Sequence, residues 1–224
     1  MDYSQFYGQH VSDPFLCNII RRNNGKRIAS IYSLYENLTV SVFLQNATVQ
    51  RTISMGNNML AAYGTPLEFD GVELTALWSY KEFFPPKADL RQLKVGYRAK
   101  NLLRVAKHFQ ENDLSEKKLR EMSTEILEKE LLKIYGIGKQ TVFYTMLGQF
   151  HRTRYLKHIP LWERKILSRY IFNEELCEEQ EMVRWFQSQY GDWCGFALSM
   201  IIEEVFYQHH QKSITWLKEI MREP

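Results

Sequence analysis

The residues with the clearest chemical potential lie at Tyr135-Gly136-Ile137-Gly138-Lys139-Gln140-Thr141. Two glycines one residue apart let the backbone turn through conformations closed to residues carrying a Cβ. They also leave a row of main-chain N–H groups at the start of the helix that follows, where the dipole favours an anion. Ile137 between them is expected to point inward and pin the turn to a core. Such a turn reads as a helix-hairpin-helix that grips a nucleic-acid phosphate without reading bases, and Lys139 supplies a cation beside it. No other reactive constellation competes. The chain contains neither a G-x-x-x-x-G-K-[ST] phosphate loop nor a serine elbow. His209 and His210 are adjacent and so do not share a helix face, and His108, His151 and His158 have no histidine one turn away. Arg21 to Arg27 holds four cations in seven residues, which suits a solvated loop better than a phosphate site.

The elements that must position this turn are helical. The pattern over Ser115 to Lys133 predicts a long helix before it, with Ser115 as N-cap, and the helix resumes after Gly138. Upstream, Leu38 to Leu44 is an apolar run of the buried-helix kind, although periodicity leaves a strand open. Thr48 to Tyr63 reads as a helix ended by Gly64 and Thr65-Pro66. Gly71 to Phe84 is expected to carry a short amphipathic helix stopped by Pro85-Pro86, and Gly96 opens another that runs to about Asn112. Beyond the hairpin come helices over Pro160 to Phe172 and Glu178 to Tyr190, a new start at Gly191-Asp192, and a last helix ending near Met221. About ten helices with short links make the chain all-α. Residues 1–30 read as an irregular arm or a small hairpin.

The 224 residues suffice for one sizeable core or two small lobes sharing one. A composition of 45% hydrophobic and 25% charged residues is that of a soluble globular chain, and the aromatic share of 14% points to ring-rich packing at Trp162, Trp185, Trp193 and Trp216. Net charge is only +3, so a polyanionic partner must be met by local basic faces rather than a global field. Cys17, Cys177 and Cys194 are scattered and odd in number, which suits a reducing compartment and excludes a self-contained four-cysteine iron-sulfur cluster. No apolar run approaches the roughly 20 residues of a membrane span. The polar N-terminus lacks a signal peptide's apolar region. The expected location is intracellular (cytoplasm or nucleoid, or a nucleus), with no membrane partner.

Set beside its neighbours, the hairpin gives the chain a resemblance to the helix-hairpin-helix DNA glycosylases, and within them to the 8-oxoguanine glycosylase branch. The likeness covers roughly Leu38 to Phe206 and rests on Phe43-Leu44-Gln45-Asn46 through Arg51 to Ala62-Tyr63-Gly64, on Leu90 to Lys100 with its Gly96-Tyr97-Arg98-Ala99-Lys100, on the hairpin, on Arg164 to Arg169, and on Tyr190-Gly191-Asp192-Trp193-Cys194-Gly195-Phe196-Ala197. It implies a two-lobed all-α fold with a cleft between the lobes. The middle lobe would span about 50–150, and residues 31–49 plus 155–224 would make the other. It implies duplex DNA as partner and base flipping as the mode of recognition. In similar enzymes an Asn matching Asn46 fills the vacated hole, a Tyr matching Tyr97 wedges the duplex, and two arginines matching Arg51 and Arg98 read the estranged cytosine. Gly136, Gly138, Lys139 and Thr141 would contact the DNA backbone. No cofactor is required; the carbonyls of Tyr135 and Ile137 would be the place for a K⁺ or Na⁺ ion. Without the family, Asn46, Arg51, Tyr97 and Arg98 read as a cap, a solvated face and a partly buried ring.

The chemical centre departs from that pattern. The family's amine nucleophile, a Lys two residues after the second glycine, is Gln140 here, and an amide cannot form a Schiff base. An Asp that stabilises the positive charge growing on the sugar falls at Pro160 when aligned without gaps, or at Trp162 when prolines are matched. The nearest acid is Glu163, which reads first as a helix-start glutamate favoured by the dipole and second as a substitute. In the base pocket Phe143 remains, while the base-reading Gln corresponds to Leu198 and the sandwiching ring to Ile202. Three readings stay open. One is a DNA-binding pseudoenzyme whose standard excision and lyase reactions are lost or altered. Another is a monofunctional glycosylase for a different damaged or modified base. The third is a glycosylase fold reused as a protein-partner module in a multi-gene defence or nucleotide-modification system, with an exposed apolar patch near Leu198 and Ile202.

Overall fold

Cap and turn chemistry sets most element boundaries in the structure, a computed structural model that describes residues 2–28, 32–112 and 114–221. The N-terminal segment, expected as an arm or hairpin, is helical: α1 (Ser4–His10) and α2 (Cys17–Arg22) are joined by a turn in which Asp13 Oδ1 accepts from the N–H groups of Phe15 and Leu16 at 2.8 and 3.0 Å. Leu16, Ile19 and Ile20 share one helical face and are buried, which is the periodicity that an irregular reading missed.

α3 (Leu34–Leu44) begins with a capping box in which the Ser33 and Glu36 side chains each bond the other's backbone N–H. α4 (Val49–Tyr63) starts at Thr48, whose hydroxyl accepts from the Arg51 N–H. Where a short amphipathic helix is expected, the chain instead forms an antiparallel hairpin of β1 (Thr65–Phe69) and β2 (Val72–Ala76). Its two-residue loop, Asp70-Gly71, has φ of +51° and +72°, the geometry that makes Asp-Gly a strong hairpin signal. Leu67 faces Leu74 and Phe69 faces Val72 across the ladder, and all four are exposed. α5 (Lys87–Gln92) leads through Lys94 and Gly96, both left-handed, into α6 (Arg98–Asn112).

The long helix expected over Ser115 to Lys133 is two helices, α7 (Glu116–Glu121) and α8 (Thr124–Leu132). Ser123 interrupts them by accepting the Ile126 N–H, so a local cap outcompetes continuation. After the hairpin come α9 (Lys139–Gly148), α10 (Leu161–Leu167) with a π-helical turn at Ser168–Phe172, α11 (Glu179–Tyr190), α12 (Cys194–Gln211) and α13 (Thr215–Met221). The last helix ends at Met221, where the sequence places its end. The chain is all-α apart from the one hairpin, and no described helix is long and apolar enough to cross a membrane.

Two compact units result, Ser30–Thr145 and the pairing of Met1–Ala29 with Met146–Pro224. α3, expected with the later helices, packs against α4 and α6 in the first unit, because Leu34, Leu38 and Val42 are buried along one face. The first unit has a ring core in which Trp78 Nε1 donates to the Tyr35 hydroxyl at 2.9 Å and stacks on Phe83. In the second, Tyr3, Phe6, Trp193 and Phe196 contact one another edge to face or tilted. Gly195 permits the loop at Thr153 and Tyr155 to lie against the start of α12, since a Cβ there would come within 2.7 Å of the Tyr155 carbonyl.

The two hairpin glycines are not equivalent. Gly136 has φ +86° and a Cβ on it would meet the Asn101 side chain at 2.9 Å, whereas Gly138 is not left-handed and a Cβ would meet nothing within 4 Å. Gly136→Ala is expected to destabilise the protein by about 1–2 kcal/mol. Gly138→Ala is expected to stay within about 0.5 kcal/mol of the parent. Urea unfolding of both variants checks this, and equal midpoints would contradict it.

Candidate functional site

The hairpin tightens out of the end of α8 through the bonds Ile134 N–H to Leu131 O at 3.2 Å and Ile137 N–H to Ile134 O at 3.1 Å. Ile134 and Ile137 are buried, as the inward reading of Ile137 requires. The first helical bond of α9 runs from the Val142 N–H to Gly138 O at 3.0 Å. The N–H groups of Lys139, Gln140 and Thr141 therefore belong to the first turn, which lacks intrahelical acceptors. Gly138, Lys139 and Gln140 are exposed and Thr141 is nearly buried.

Gln45 ties three segments to this turn. Its Nε2 donates to the Gly136 carbonyl at 2.7 Å, and its Oε1 accepts from Asn101 Nδ2 at 3.1 Å. Its own main-chain carbonyl accepts from the Tyr97 hydroxyl at 3.2 Å and from the Arg98 guanidinium. The next residue, Asn46, sits at φ +48°, a left-handed conformation that Asn tolerates better than most residues. Asn46 Nδ2 donates to the Tyr97 hydroxyl at 3.3 Å. Asn46, Tyr97, Arg98 and the hairpin are thus brought together through a residue to which the sequence assigned no role. Nor did the sequence single out Asn101, which lies in the first turn of α6 just beyond Tyr97.

The four residues carried over by resemblance differ in accessibility. Tyr97 is 56% exposed and Asn46 and Arg51 are exposed, but Arg98 is 1% exposed. Burial lowers the Arg98 pKa, and the neighbouring Arg51 charge adds to that, so the two cations feel one another. The bond of Arg98 to the Gln45 carbonyl and its contact with the Tyr97 ring, 4.7 Å to the centroid, make it a positioning group within the network. At the proposed monovalent-ion position, the carbonyls of Tyr135 and Ile137 flank that of Gly136, which Gln45 already engages.

The residues at the family's chemical positions are divided between the units. Gln140 and Phe143 are in the first, exposed and buried respectively. Pro160, Trp162, Glu163, Leu198 and Ile202 are in the second. Pro160 is the N-cap of α10, Trp162 is half-buried 6.3 Å from Phe206, and Glu163 lies in the first turn with 2% exposure. A buried carboxylate at that point is favoured by the helix dipole and by the N–H groups of the first turn. The segment ahead of it is clamped by Glu179, whose Oε1 accepts from the Ile159 N–H at 3.0 Å and lies 2.6 Å from His158 Nδ1. Leu198 and Ile202 are 1% and 8% exposed, so the apolar patch expected there does not exist. They lie on the buried face of α12. Exposed apolar side chains gather instead on the β1–β2 hairpin. Among the described residues no group of three or more His, Cys, Asp or Glu is placed to hold a metal, and the three cysteines are free thiols.

Partial burial works to raise the Glu179 pKa, but the Ile159 N–H, the His158 ring and Arg164 outweigh it and hold the carboxyl below its ordinary value. A carboxyl depressed in the folded state adds stability above its unfolded pKa of about 4.3, and that contribution is lost as pH falls through the folded value. Stability is therefore expected to decline below about pH 4.3 more steeply in the parent than in Glu179→Gln. Urea midpoints across that range measure it, and parallel curves would remove the clamp's contribution.

No family model matches the chain. In sequence it is similar to the DNA-3-methyladenine glycosylase of Bacillus subtilis (strain 168), with 27% identity over 148 residues that cover 65% of this chain and 49% of that protein. The chain thus spans about half the length of that relative. In structure it is similar to MBOgg1 in complex with a low-affinity DNA ligand, with TM-score 0.79 and 22% identity over 96% of this chain and 72% of that one. The Clostridium acetobutylicum 8-oxoguanine glycosylase/lyase, in complex with double-stranded DNA containing cytosine opposite 8-oxoG, aligns with TM-score 0.73 and 20% identity over 96% and 72%. A 3-methyladenine DNA glycosylase from Archaeoglobus fulgidus gives 0.74 and 18% over 92% and 71%. The chain therefore has the fold of these DNA glycosylase structures, and over 148 residues its sequence is similar to a DNA-3-methyladenine glycosylase.

Proposed function

We propose that the protein binds duplex DNA and probes or flips bases, with Schiff-base lyase chemistry lost and base excision lost or altered. The observation that carries this reading is the Gln45 network, which holds Asn46, Tyr97 and Arg98 beside the hairpin turn. The first-turn N–H groups of α9 and Lys139 would take a backbone phosphate. The exposed Tyr97 ring would enter the base stack, and Asn46 would offer an amide to the hole left by an extruded base. Arg51 supplies guanidinium donors suited to the acceptors of an unpaired cytosine, with Arg98 behind it. Extrusion costs a few kcal/mol, which such contacts would offset.

Covalent chemistry has no nucleophile at the expected place. Gln140 is exposed and carries an amide, and Lys139 is turned away from it by about 100° around α9. A second reading, an active monofunctional glycosylase, is favoured by the burial of Glu163 in the first turn of α10. An oxocarbenium-like sugar needs a fixed anion nearby, and a buried carboxylate could supply it or activate a water.

Single-turnover base release from a duplex carrying 8-oxoguanine opposite cytosine, with binding followed in parallel, separates these readings. Binding without release or strand cleavage is the expected result. Release without cleavage would favour the second reading, and Glu163→Gln should then slow it by about 10²–10³-fold. Cleavage with a borohydride-trappable protein–DNA adduct would overturn the loss of lyase chemistry. Absence of binding would overturn the DNA-binding reading itself.

A further inference from the structure

A stripe of α6 that the proposed base-probing residues do not use runs directly beneath the hairpin turn. Lys100, Asn101 and Arg104 lie along one face of α6, the helix into which Tyr97 leads. Asn101 fixes where that face points, because its amide bonds Gln45 and its side chain is what a Cβ on Gly136 would strike. The two cations flanking Asn101 lie against the Tyr135 ring, Arg104 at 3.9 Å and Lys100 at 5.2 Å from its centroid. Tyr135 is itself part of the hairpin and 43% exposed. Hydrogen bonding and charge from Lys100, with a smaller effect of Arg104, lower the pKa of its phenol.

Among the described residues neither Lys100 nor Arg104 is paired with a carboxylate. Lys107, further along α6, lies 3.5 Å from Glu111, and Lys133, two residues before Tyr135, lies 2.6 Å from Glu130. An aromatic face orders a cation without neutralising it, so these two side chains are held in place with their charge still available to an anion. From Tyr97 to Arg104 the stripe is about 10 Å long at 1.5 Å per residue. A DNA strand advances about 3.4 Å per nucleotide, so the stripe matches about three nucleotides.

We propose that Lys100 and Arg104, ordered by Tyr135, form a second phosphodiester-binding track that carries one strand of the duplex along α6 away from Tyr97. This rests on the duplex-binding reading above. The track is blind to base identity and ends at Lys107, whose charge is already paired. It supplies the local basic face that a chain of net charge +3 needs in order to hold DNA.

The test is the salt dependence of duplex binding by the full chain, read by fluorescence anisotropy on an undamaged duplex and on one carrying 8-oxoguanine. Lys100→Gln and Arg104→Gln should each make the slope of log K against log[salt] shallower by about 0.9, and the double variant by about 1.8, on both duplexes. Tyr135→Ala should weaken binding and Tyr135→Phe should retain most of it, since the ring is what orders the cations. Lys107→Gln should leave the slope unchanged. Parent-like slopes for the double variant would overturn the track while leaving duplex binding in place. A parent that binds neither duplex would overturn the DNA-binding reading and the track with it.

Discussion

The bond from the Gln45 amide to the Gly136 carbonyl is the constraint on which the rest of the site depends. A tight turn at positive φ exposes carbonyls that the flanking helices do not engage, and a buried or half-buried carbonyl without a donor costs about 1–3 kcal/mol. Gln45 meets that demand with one end of its amide and uses the other to fix Asn101 on α6. Because its backbone carbonyl also receives Tyr97 and Arg98, one residue sets the relative placement of the α3–α4 loop, the start of α6 and the hairpin. The left-handed Asn46 follows from the same geometry: the chain must reverse immediately after Gln45 to enter α4.

Much of this was legible in residue types, and the failures have physical causes. The hairpin was readable because two glycines, an apolar residue between them and flanking helical periodicity are all local signals. The β1–β2 hairpin was misread as a helix because apolar residues were weighed above Asp70-Gly71, although a two-residue left-handed turn decides the topology. The break between α7 and α8 was missed because Ser123 sits in an otherwise helical pattern, where only its bond to Ile126 shows that it acts as a cap. Gln45 could not be read at all. Its two side-chain partners lie 56 and 91 positions away, and no local pattern marks a residue whose role is to join distant segments.

The distribution of charge separates surfaces that composition averages together. Some cations away from the hairpin turn are paired: Arg22 bonds Glu204 at 2.5 Å while lying over the Tyr207 ring, and Lys26 meets Glu203. Arg51, Lys100 and Arg104 face no carboxylate among the described residues. The β1–β2 hairpin is the opposite case, with Glu68 beside Glu73, Asp70 at its tip and no cation in either strand. Such a surface repels a polyanion, so the hairpin's exposed Leu67, Phe69, Val72 and Leu74 do not belong to the phosphate-facing side.

The departures from the family pattern and the matches to it do not carry equal weight. Gln140 is exposed at the start of a helix, where Lys, Gln or Glu would be accommodated alike, so its identity is free to report on chemistry. Arg98 and Asn46 are bound into the network that shapes the turn, so their presence serves the architecture as well as any contact with DNA. A match at those positions says that the hairpin is built as it is in similar folds. A match at Arg51, whose guanidinium has no hydrogen-bond partner among the described residues, says more, because nothing in the protein requires it. Glu163 bears on the second reading through its place: it is 2% exposed in the first turn of α10, where the helix dipole favours a carboxylate.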